Sequence, residues 1–385
     1  MKIAFLNDEI FKYASGDPTV FGGAERQQWL LARALARSGW LVTAGIREVL
    51  EPGERRVIDG VEFLGIGRDH ILLGWFRFLR KERPDWLYWR CASHWLGPLV
   101  RVARWANVRS IFAAAYDTDV HPREALVRRR RWWPIYAWGL AQVDRVFLQH
   151  AGQLAELPLH LRSKAYLIPS IAGIRPAAQP HKERQNYVAW VATLRQDKRP
   201  ELLIEIASRA RDTYFVVCGG MSNFKSSEHY AASIVEAFRR LPNVTYLGQV
   251  DAEKAQKVIA EAAVFLSTSD IEGFPNTFLQ AWACGTPVVS FQIDPGHVIE
   301  RHGLGVVAGT IDVAITHIKR LMASSDLRDE IARRAQGYIA QHHSENMIVN
   351  AFDNALGDRP GQVRGPVMAE TQMCQTDRHE PHLEE

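Results

Sequence analysis

Short apolar runs rich in β-branched and aromatic residues alternate along this chain with longer stretches whose apolar positions recur every three or four residues. The short runs predict strands at residues 2–6, 41–45, 61–66, 86–90, 110–115 and 145–149. A second series follows at 187–192, 214–218, 244–247, 263–267 and 287–291. Between them the spacing predicts helices. Over residues 24–37, Leu30, Leu31, Ala34 and Leu35 share a face behind polar Arg33 and Arg37, and Gly39 ends the helix. Strands this apolar, separated by helices, call for parallel sheets covered on both faces. The pattern runs twice. Residues 171–186 are rich in Pro, Ala, Gly and polar groups and lack periodicity, so they read as a linker between residues 1–170 and 187–357. Residues 358–385 hold almost no large apolar side chains and read as a disordered tail, and the last helix before them is free to pack back on the first half.

Composition agrees with two domains and adds an asymmetry. The chain has 385 residues, 47% hydrophobic and 23% charged, which excludes a disordered, collagen-like or coiled-coil protein. Lys and Arg number 47 against 43 Asp and Glu, for a net charge of +4. Residues 75–145 alone carry 14 Lys/Arg and 6 Asp/Glu, a local +8, so the remainder sums to −4. Eight of the 12 tryptophans fall in the same region. Trp86, Trp89 and Trp105 read as core. Arg128, Arg129, Arg130 and Arg131 beside Trp132 and Trp133, with the basic amphipathic stretch 71–83, instead suit a surface resting on anionic headgroups, the indoles at the boundary. Nucleic acid is the rival partner for Arg and aromatics, but no nucleic-acid-binding fold motif accompanies them, so none is expected. The N-terminus lacks the features of a signal peptide, and no apolar run approaches the 18 or so residues of a membrane span. The four cysteines are scattered without C-x-x-C spacing, which argues against zinc and a disulfide framework. The expected location is the cytoplasm, at the inner face of the membrane.

Three segments carry candidate chemistry. In 268–290, TSDIEGFPNTFLQAWACGTPVVS, a strand ends, a loop carries Glu272 and Gly273, and Pro275 opens a helix that Cys284-Gly285 stops. The free N–H groups of that helix, from Asn276 onward, can receive phosphate oxygens. Glu272 can accept from sugar hydroxyls, and Gln280, one turn on, can donate and accept towards a ribose diol. An ordinary strand–helix–strand unit with a solvated glutamate fits the same residues. In 188–205 a strand ends in a loop bearing Arg195, Lys198 and Arg199 ahead of a helix near Pro200; a solvated cationic helix start is the plain alternative. In 21–28, FGGAERQQ, the pair Gly22-Gly23 allows close backbone approach at a helix start, although a dinucleotide fingerprint would follow its strand directly.

With these segments in place the chain resembles glycosyltransferase family 4, the retaining group 1 enzymes of the GT-B fold. The family pattern EGFPN-x-x-x-E-A-x-A-x-G-x-P-V-V is matched by Glu272, Gly273, Phe274, Pro275, Asn276, Ala281, Ala283, Gly285, Pro287, Val288 and Val289. GGAER at 22–26, VFLQHAGQLAEL at 147–158 and FVVCGG at 215–220 resemble further family segments in the expected order. The resemblance implies two Rossmann-like, doubly wound parallel-sheet domains facing a cleft, with an acceptor-side N-terminal domain and a nucleotide-sugar-binding C-terminal domain. It implies donor contacts from Gly22, Gly23, Arg195, Lys198, Gly219, Glu272, Gly273, Phe274, Pro275, Asn276, Thr277 and Gln280. Lys198 and Arg195 would neutralise the diphosphate leaving group, the role a metal plays in other transferases, and Glu272 would hold the donor sugar. There are two departures. The second acid of the family motif is Gln280 here, and the family's arginine most often sits at Thr193, so Arg195 either stands in for it or faces solvent.

The acceptor side is less well marked. The family's histidine after an N-domain strand is missing from SIFAAAYDTDVHP, which offers Asp117, Asp119 and His121 instead. On an extended segment Asp117 and Asp119 would point the same way and form a carboxylate dyad able to act as base towards an acceptor hydroxyl, or they would simply cap a turn. They also have the D-x-D spacing of a metal site, but in the wrong domain, so no metal and no cofactor beyond the nucleotide-sugar substrate is expected. His94 either enters the cleft from the end of strand 86–90 or, the preferred reading, starts a helix. The expected activity is transfer of a sugar to a saccharide acceptor, lipid-linked, in cell-envelope polysaccharide synthesis. The alternatives are a GT-B-like sugar-nucleotide epimerase and a catalytically weak nucleotide-sugar-binding protein.

Overall fold

A computed structural model describes residues 1–17, 22–68, 70–125, 127, 130–173, 180–220 and 228–357. The first half forms a sheet from β1 (Lys2–Phe5), β2 (Leu41–Ile46), β3 (Arg55–Ile58), β4 (Val61–Gly65), β5 (Trp86–Arg90), β6 (Arg109–Ala113), β7 (Arg145–Leu148) and β8 (Ala165–Leu167). Their order is β3-β4-β2-β1-β5-β6-β7-β8, and every pair is parallel except β3 with β4. The second half forms a wholly parallel sheet from β9 (Gln185–Val191), β10 (Phe215–Cys218), β11 (Val244–Tyr246), β12 (Ala262–Ser267), β13 (Val288–Ser290) and β14 (Gly305–Val307), in the order β11-β10-β9-β12-β13-β14.

The strands absent from the sequence reading are β3, β8 and β14, all at or next to sheet edges. Edge strands are half-solvated, so the apolar signal that marks a buried strand is weak in RRVI, AYL and GVV. For β3 a signal was present: Asp59-Gly60 joins it to β4 with both residues at positive φ (48° and 83°), the geometry a two-residue hairpin turn demands. The helix expected over 24–37 spans Gly23–Arg37, and Gly39 takes φ 94° after it.

Chain order and packing part company at the C-terminal helix Glu345–Gly357. Its Ile348, Val349, Phe352, Ala355 and Leu356 belong to the core beneath the first sheet, with Trp29, Leu31, Phe63 and Phe147. The Phe352 ring meets Trp40 and Phe147 edge-on at 5.7 and 5.2 Å, and Trp40 Nε1 donates to Asp353 Oδ1 at 2.9 Å. The last helix therefore ties the two halves together.

Within the aromatic, basic region, Trp86 is fully buried beneath Arg109, whose guanidinium lies 4.0 Å from the ring centroid, and Trp89 is half-buried. Trp105 departs from expectation. It ends the helix Leu96–Trp105 on its solvent side and is 63% exposed, with Arg101 over its ring. Arg128 and Arg129, and the tail 358–385, lie outside the described residues, and of Arg130 only the backbone is described. Arg131 is exposed over Trp132 at 5.7 Å, and Arg123 covers Trp133 at 5.3 Å. In the basic helix Ile71–Glu82, Trp75, Phe78 and Leu79 are buried while Leu72 and Leu73 face solvent.

Phe352→Ala should lower stability by about 3–5 kcal/mol, the range for truncating a fully buried aromatic side chain. Urea unfolding followed by tryptophan fluorescence should show the loss in the first half, although the substitution lies near the chain's other end.

Candidate active site

In parallel α/β sheets, ligands gather beyond the carboxyl ends of the strands where the strand order reverses. In the second sheet that point lies between β9 and β12. The loops that leave these two strands carry Arg195–Lys198 and Glu272–Asn276, so topology alone brings together segments 74 residues apart. Hydrogen bonds clasp the loops at their bases. Trp190 Nε1 donates to Thr268 Oγ1 at 2.9 Å, that hydroxyl donates to the Lys198 carbonyl at 2.6 Å, and the Asp270 N–H donates to the Asp197 carbonyl at 2.9 Å.

At the mouth, Lys198 Nζ meets Glu272 Oε1 at 2.5 Å, with side chains only 11% and 18% exposed. Burial works against the lysine charge, yet Glu272, with Tyr116 and Asp197, outweighs it and holds Lys198 above the ordinary lysine range. Arg195 grips Asp197 with two bonds, Nε–Oδ1 at 2.8 Å and Nη2–Oδ2 at 2.5 Å. Arg199, in the left-handed region at φ 47°, turns away to Glu201 and Asp270. Each cation thus already has a carboxylate partner. The phenol of Tyr116, from the first half, lies against the cluster: burial raises its pKa, and Lys198 and Arg195 pull it back.

The loop Glu272–Asn276 is pressed against the first half. A Cβ on Gly273 would overlap Gln149 Oε1 and the Ala115 carbonyl, so only glycine fits. Phe274 N donates to Gln149 Oε1 at 3.2 Å, and Asp117 N donates to the Glu272 carbonyl at 3.2 Å. Asn276 spends its side chain here too: Nδ2 donates to the Gly23 carbonyl at 3.0 Å, and Oδ1 accepts from Gln27 Nε2 at 2.6 Å. The space that Gly22 and Gly23 leave is filled by the chain itself, by the Glu25 carboxylate and the Asn276 amide respectively. Pro275 precedes the helix Asn276–Ala283, whose first N–H groups have no partner within the helix; Thr277 and Gln280 lie on its half-buried side. Gly219 packs against the Ala192 carbonyl at the end of β10, and its carbonyl accepts from Tyr246 Oη at 2.7 Å.

The carboxylate dyad expected from Asp117 and Asp119 does not form. Asp117–Val120 is a single 3₁₀ turn rather than an extended segment, and three residues per turn send side chains i and i+2 apart. Asp119 turns inward, 1% exposed, and its Oδ2 accepts from Ala115 N at 2.8 Å and Tyr116 N at 3.1 Å, so it is the turn-capping alternative that describes it. Asp117 turns the other way, towards His150 and Gln153. His121 pairs with exposed Glu156 at 2.9 Å, and His94 stacks between Trp95 and Trp132. The sequence reading missed Gln27, Tyr116, Gln149 and His150. A glutamine gives no signal of burial. His150, two residues past the end of β7, did stand where strand-end residues face a cleft.

Burial pushes the Asp119 carboxyl up to about 6, against ordinary aspartate near 3.8. The folded state then holds the proton more tightly than the unfolded one, so this group costs stability as pH rises through 4 to 6 and exacts its full cost above. Asp119→Asn, which keeps an acceptor for both N–H groups, should match wild type at pH 4 and exceed it by about 3 kcal/mol at pH 7. Thermal unfolding across that range checks the crossover.

Residues 174–338 match the sequence model of the family described as glycosyl transferases group 1. The lipopolysaccharide core biosynthesis glycosyltransferase LpsE of Rhizobium meliloti (strain 1021) is 30% identical over 353 residues, covering 88% of this chain and 97% of LpsE. D-inositol 3-phosphate glycosyltransferase of Mycolicibacterium gilvum (strain PYR-GCK) is 25% identical over 236 residues, 56% of this chain, which spans 50% of that relative's length. Among solved structures, Anabaena Alr3699/HepE in complex with UDP and glucose shares the fold at a TM-score of 0.71 and 15% identity, with 92% of this chain and 99% of that one covered. Two doubly wound domains, the loops at the second switch point and a full-length relative lead to one assignment: the chain belongs to the group 1 glycosyltransferases and has their GT-B fold.

Proposed function

We propose that this chain is a retaining, metal-independent glycosyltransferase of family 4 that moves a hexose from a nucleotide-diphosphate donor to a lipid-linked saccharide in cell-envelope polysaccharide synthesis. The observation that carries the reading is the Lys198–Glu272 ion pair, half-buried at the second sheet's switch point and roofed by the first half. An incoming diphosphate takes over Lys198 and Arg195 from Glu272 and Asp197. That exchange frees the Glu272 carboxylate for the hydroxyls of the donor sugar. As the bond between the sugar C1 and the diphosphate oxygen loosens, charge grows on the leaving group, where the two cations and the helix start at Asn276 stabilise it. The names of the relatives support the class of reaction, since LpsE acts in lipopolysaccharide core synthesis and HepE holds UDP and glucose. The basic, tryptophan-rich surface of the first half supports peripheral contact with an anionic membrane at its cytoplasmic face. Among the described residues no helix is long and apolar enough to cross one.

A thermal-shift screen over UDP-, GDP- and ADP-sugars, followed by assay of nucleoside diphosphate release, identifies the donor. Lys198→Met should then slow release about 100-fold, the usual effect of removing one preorganised group that stabilises transition-state charge. Turnover at the wild-type rate in that variant would end the reading. Replacing Arg128 to Arg131 by serine, at about 1 kcal/mol per basic residue near the surface, should weaken binding to phosphatidylglycerol vesicles at least 100-fold and leave the donor-induced thermal shift unchanged.

A further inference from the structure

His150, at the boundary between the halves, has no role in the mechanism above. Its Nε2 lies 2.9 Å from Asp117 Oδ1, and Gln153 Nε2 donates to the same oxygen at 3.0 Å. The imidazole is 8% exposed whereas the Asp117 side chain is 45% exposed. Gly296 of the second half closes over the ring: a Cβ there would lie 3.2 Å from His150 Cβ. Nδ1 is buried without a partner, so the proton is assigned to Nε2, which donates to Asp117. Two donors thus hold one carboxylate oxygen, while Oδ2 has no partner among the described residues. The Asp117 N–H donates to the Glu272 carbonyl at 3.2 Å, so the backbone that bears this carboxylate touches the loop whose Glu272 grips Lys198.

We propose that Asp117 Oδ2 binds a hydroxyl of the saccharide acceptor, and that His150 and Gln153 are positioning residues that hold the carboxylate by its other oxygen. The inference rests on the glycosyl-transfer reading above and adds the group that receives the acceptor. The chemistry selects the ligand. A free carboxylate oxygen requires a donor, and its own charge repels an anion. A neutral hydroxyl therefore binds here, and any phosphate or carboxylate of the acceptor lies elsewhere. Fixing Oδ1 with two bonds keeps Oδ2 in a single direction, which matters because small misplacements of a reacting oxygen are costly in rate.

The test uses the full chain, the nucleotide sugar identified by the screen, and octyl glucoside, galactoside and mannoside as acceptor probes. Nucleoside diphosphate release is measured with and without each glycoside, and donor affinity by thermal shift. Asp117→Asn should lower glycoside-dependent release about 100-fold while donor affinity stays within about twofold, in line with loss of a hydrogen bond to a charged group. His150→Ala should raise the KM for the glycoside about tenfold, and His150→Gln, whose amide N–H reaches the same oxygen, should return to within about threefold of wild type. A merely structural histidine would not be rescued in this way and would lower donor affinity as well. If Asp117→Asn keeps its glycoside-dependent release, or His150→Gln falls as far as His150→Ala, while a Glu272→Ala control is inactive, the acceptor site is wrong and the transferase reading stands. If Glu272→Ala retains full release, or no glycoside stimulates wild type, both fall together.

Discussion

Between Gly273 on one side and Gln149 with the Ala115 carbonyl on the other there is no room for a methyl group. This steric limit ties the chemistry of the second half to the architecture of the first. Because the loop can sit so close, Phe274 N reaches Gln149, the Glu272 carbonyl reaches Asp117 N, and Asn276 reaches Gly23 and Gln27. Gln149 itself is fixed from behind, its Nε2 donating to Ser170 Oγ at 2.9 Å, and the Ser170 carbonyl lies 2.7 Å from Nδ1 of buried His343. The orientation of Glu272 is consequently set by residues drawn from the first half, the crossover near residue 170 and the segment leading into the last helix. An unpaired N–H at this depth would cost about 1–3 kcal/mol, so the seam is stable only with its amides in register.

The electrostatics follow from that closeness. Excluding water penalises the Lys198 charge, and Glu272, Tyr116 and Asp197 together hold it against that burial. Arg195 and Arg199 are likewise already held by carboxylates. A site whose cations are paired in advance offers an anion an exchange of partners instead of a bare positive field, and such exchange favours a ligand that can also satisfy the carboxylates it displaces. A diphosphate joined to a polyhydroxylated sugar has both functions. The first half presents the opposite design. Its local charge of +8 lies in a region that also holds exposed Trp105 and Trp138.

How far the protein could be read from its residues depended on how local each signal was. Buried strands announce themselves, so every central strand of both sheets was visible, whereas half-solvated β8 and β14 were not. The segments around Glu272 and Lys198 were legible because a strand end, a loop of special residues and a helix start follow one another within a few positions. Trp105 and the aspartate pair were misread for a common reason. Whether the end of a helix faces solvent, or a loop tightens into a 3₁₀ turn, is decided by contacts that periodicity does not encode: for Asp119 by the nearby N–H groups of Ala115 and Tyr116 and by Tyr136 Oη, 17 residues on, which donates to its carbonyl at 2.6 Å.

The sequence by itself therefore determined the two α/β halves, the order of their elements and the two loops that carry the charged groups, since hydrophobic period and turn chemistry act over a handful of residues. It could not determine that Asn276 would meet Gln27 and Phe274 would meet Gln149 across the halves, that His150 and Asp117 would pair, or that the last helix would complete the first core. Those contacts join positions 33 to more than 300 residues apart, and they exist only once strands and helices distant in the chain, each formed by local rules, are packed against one another.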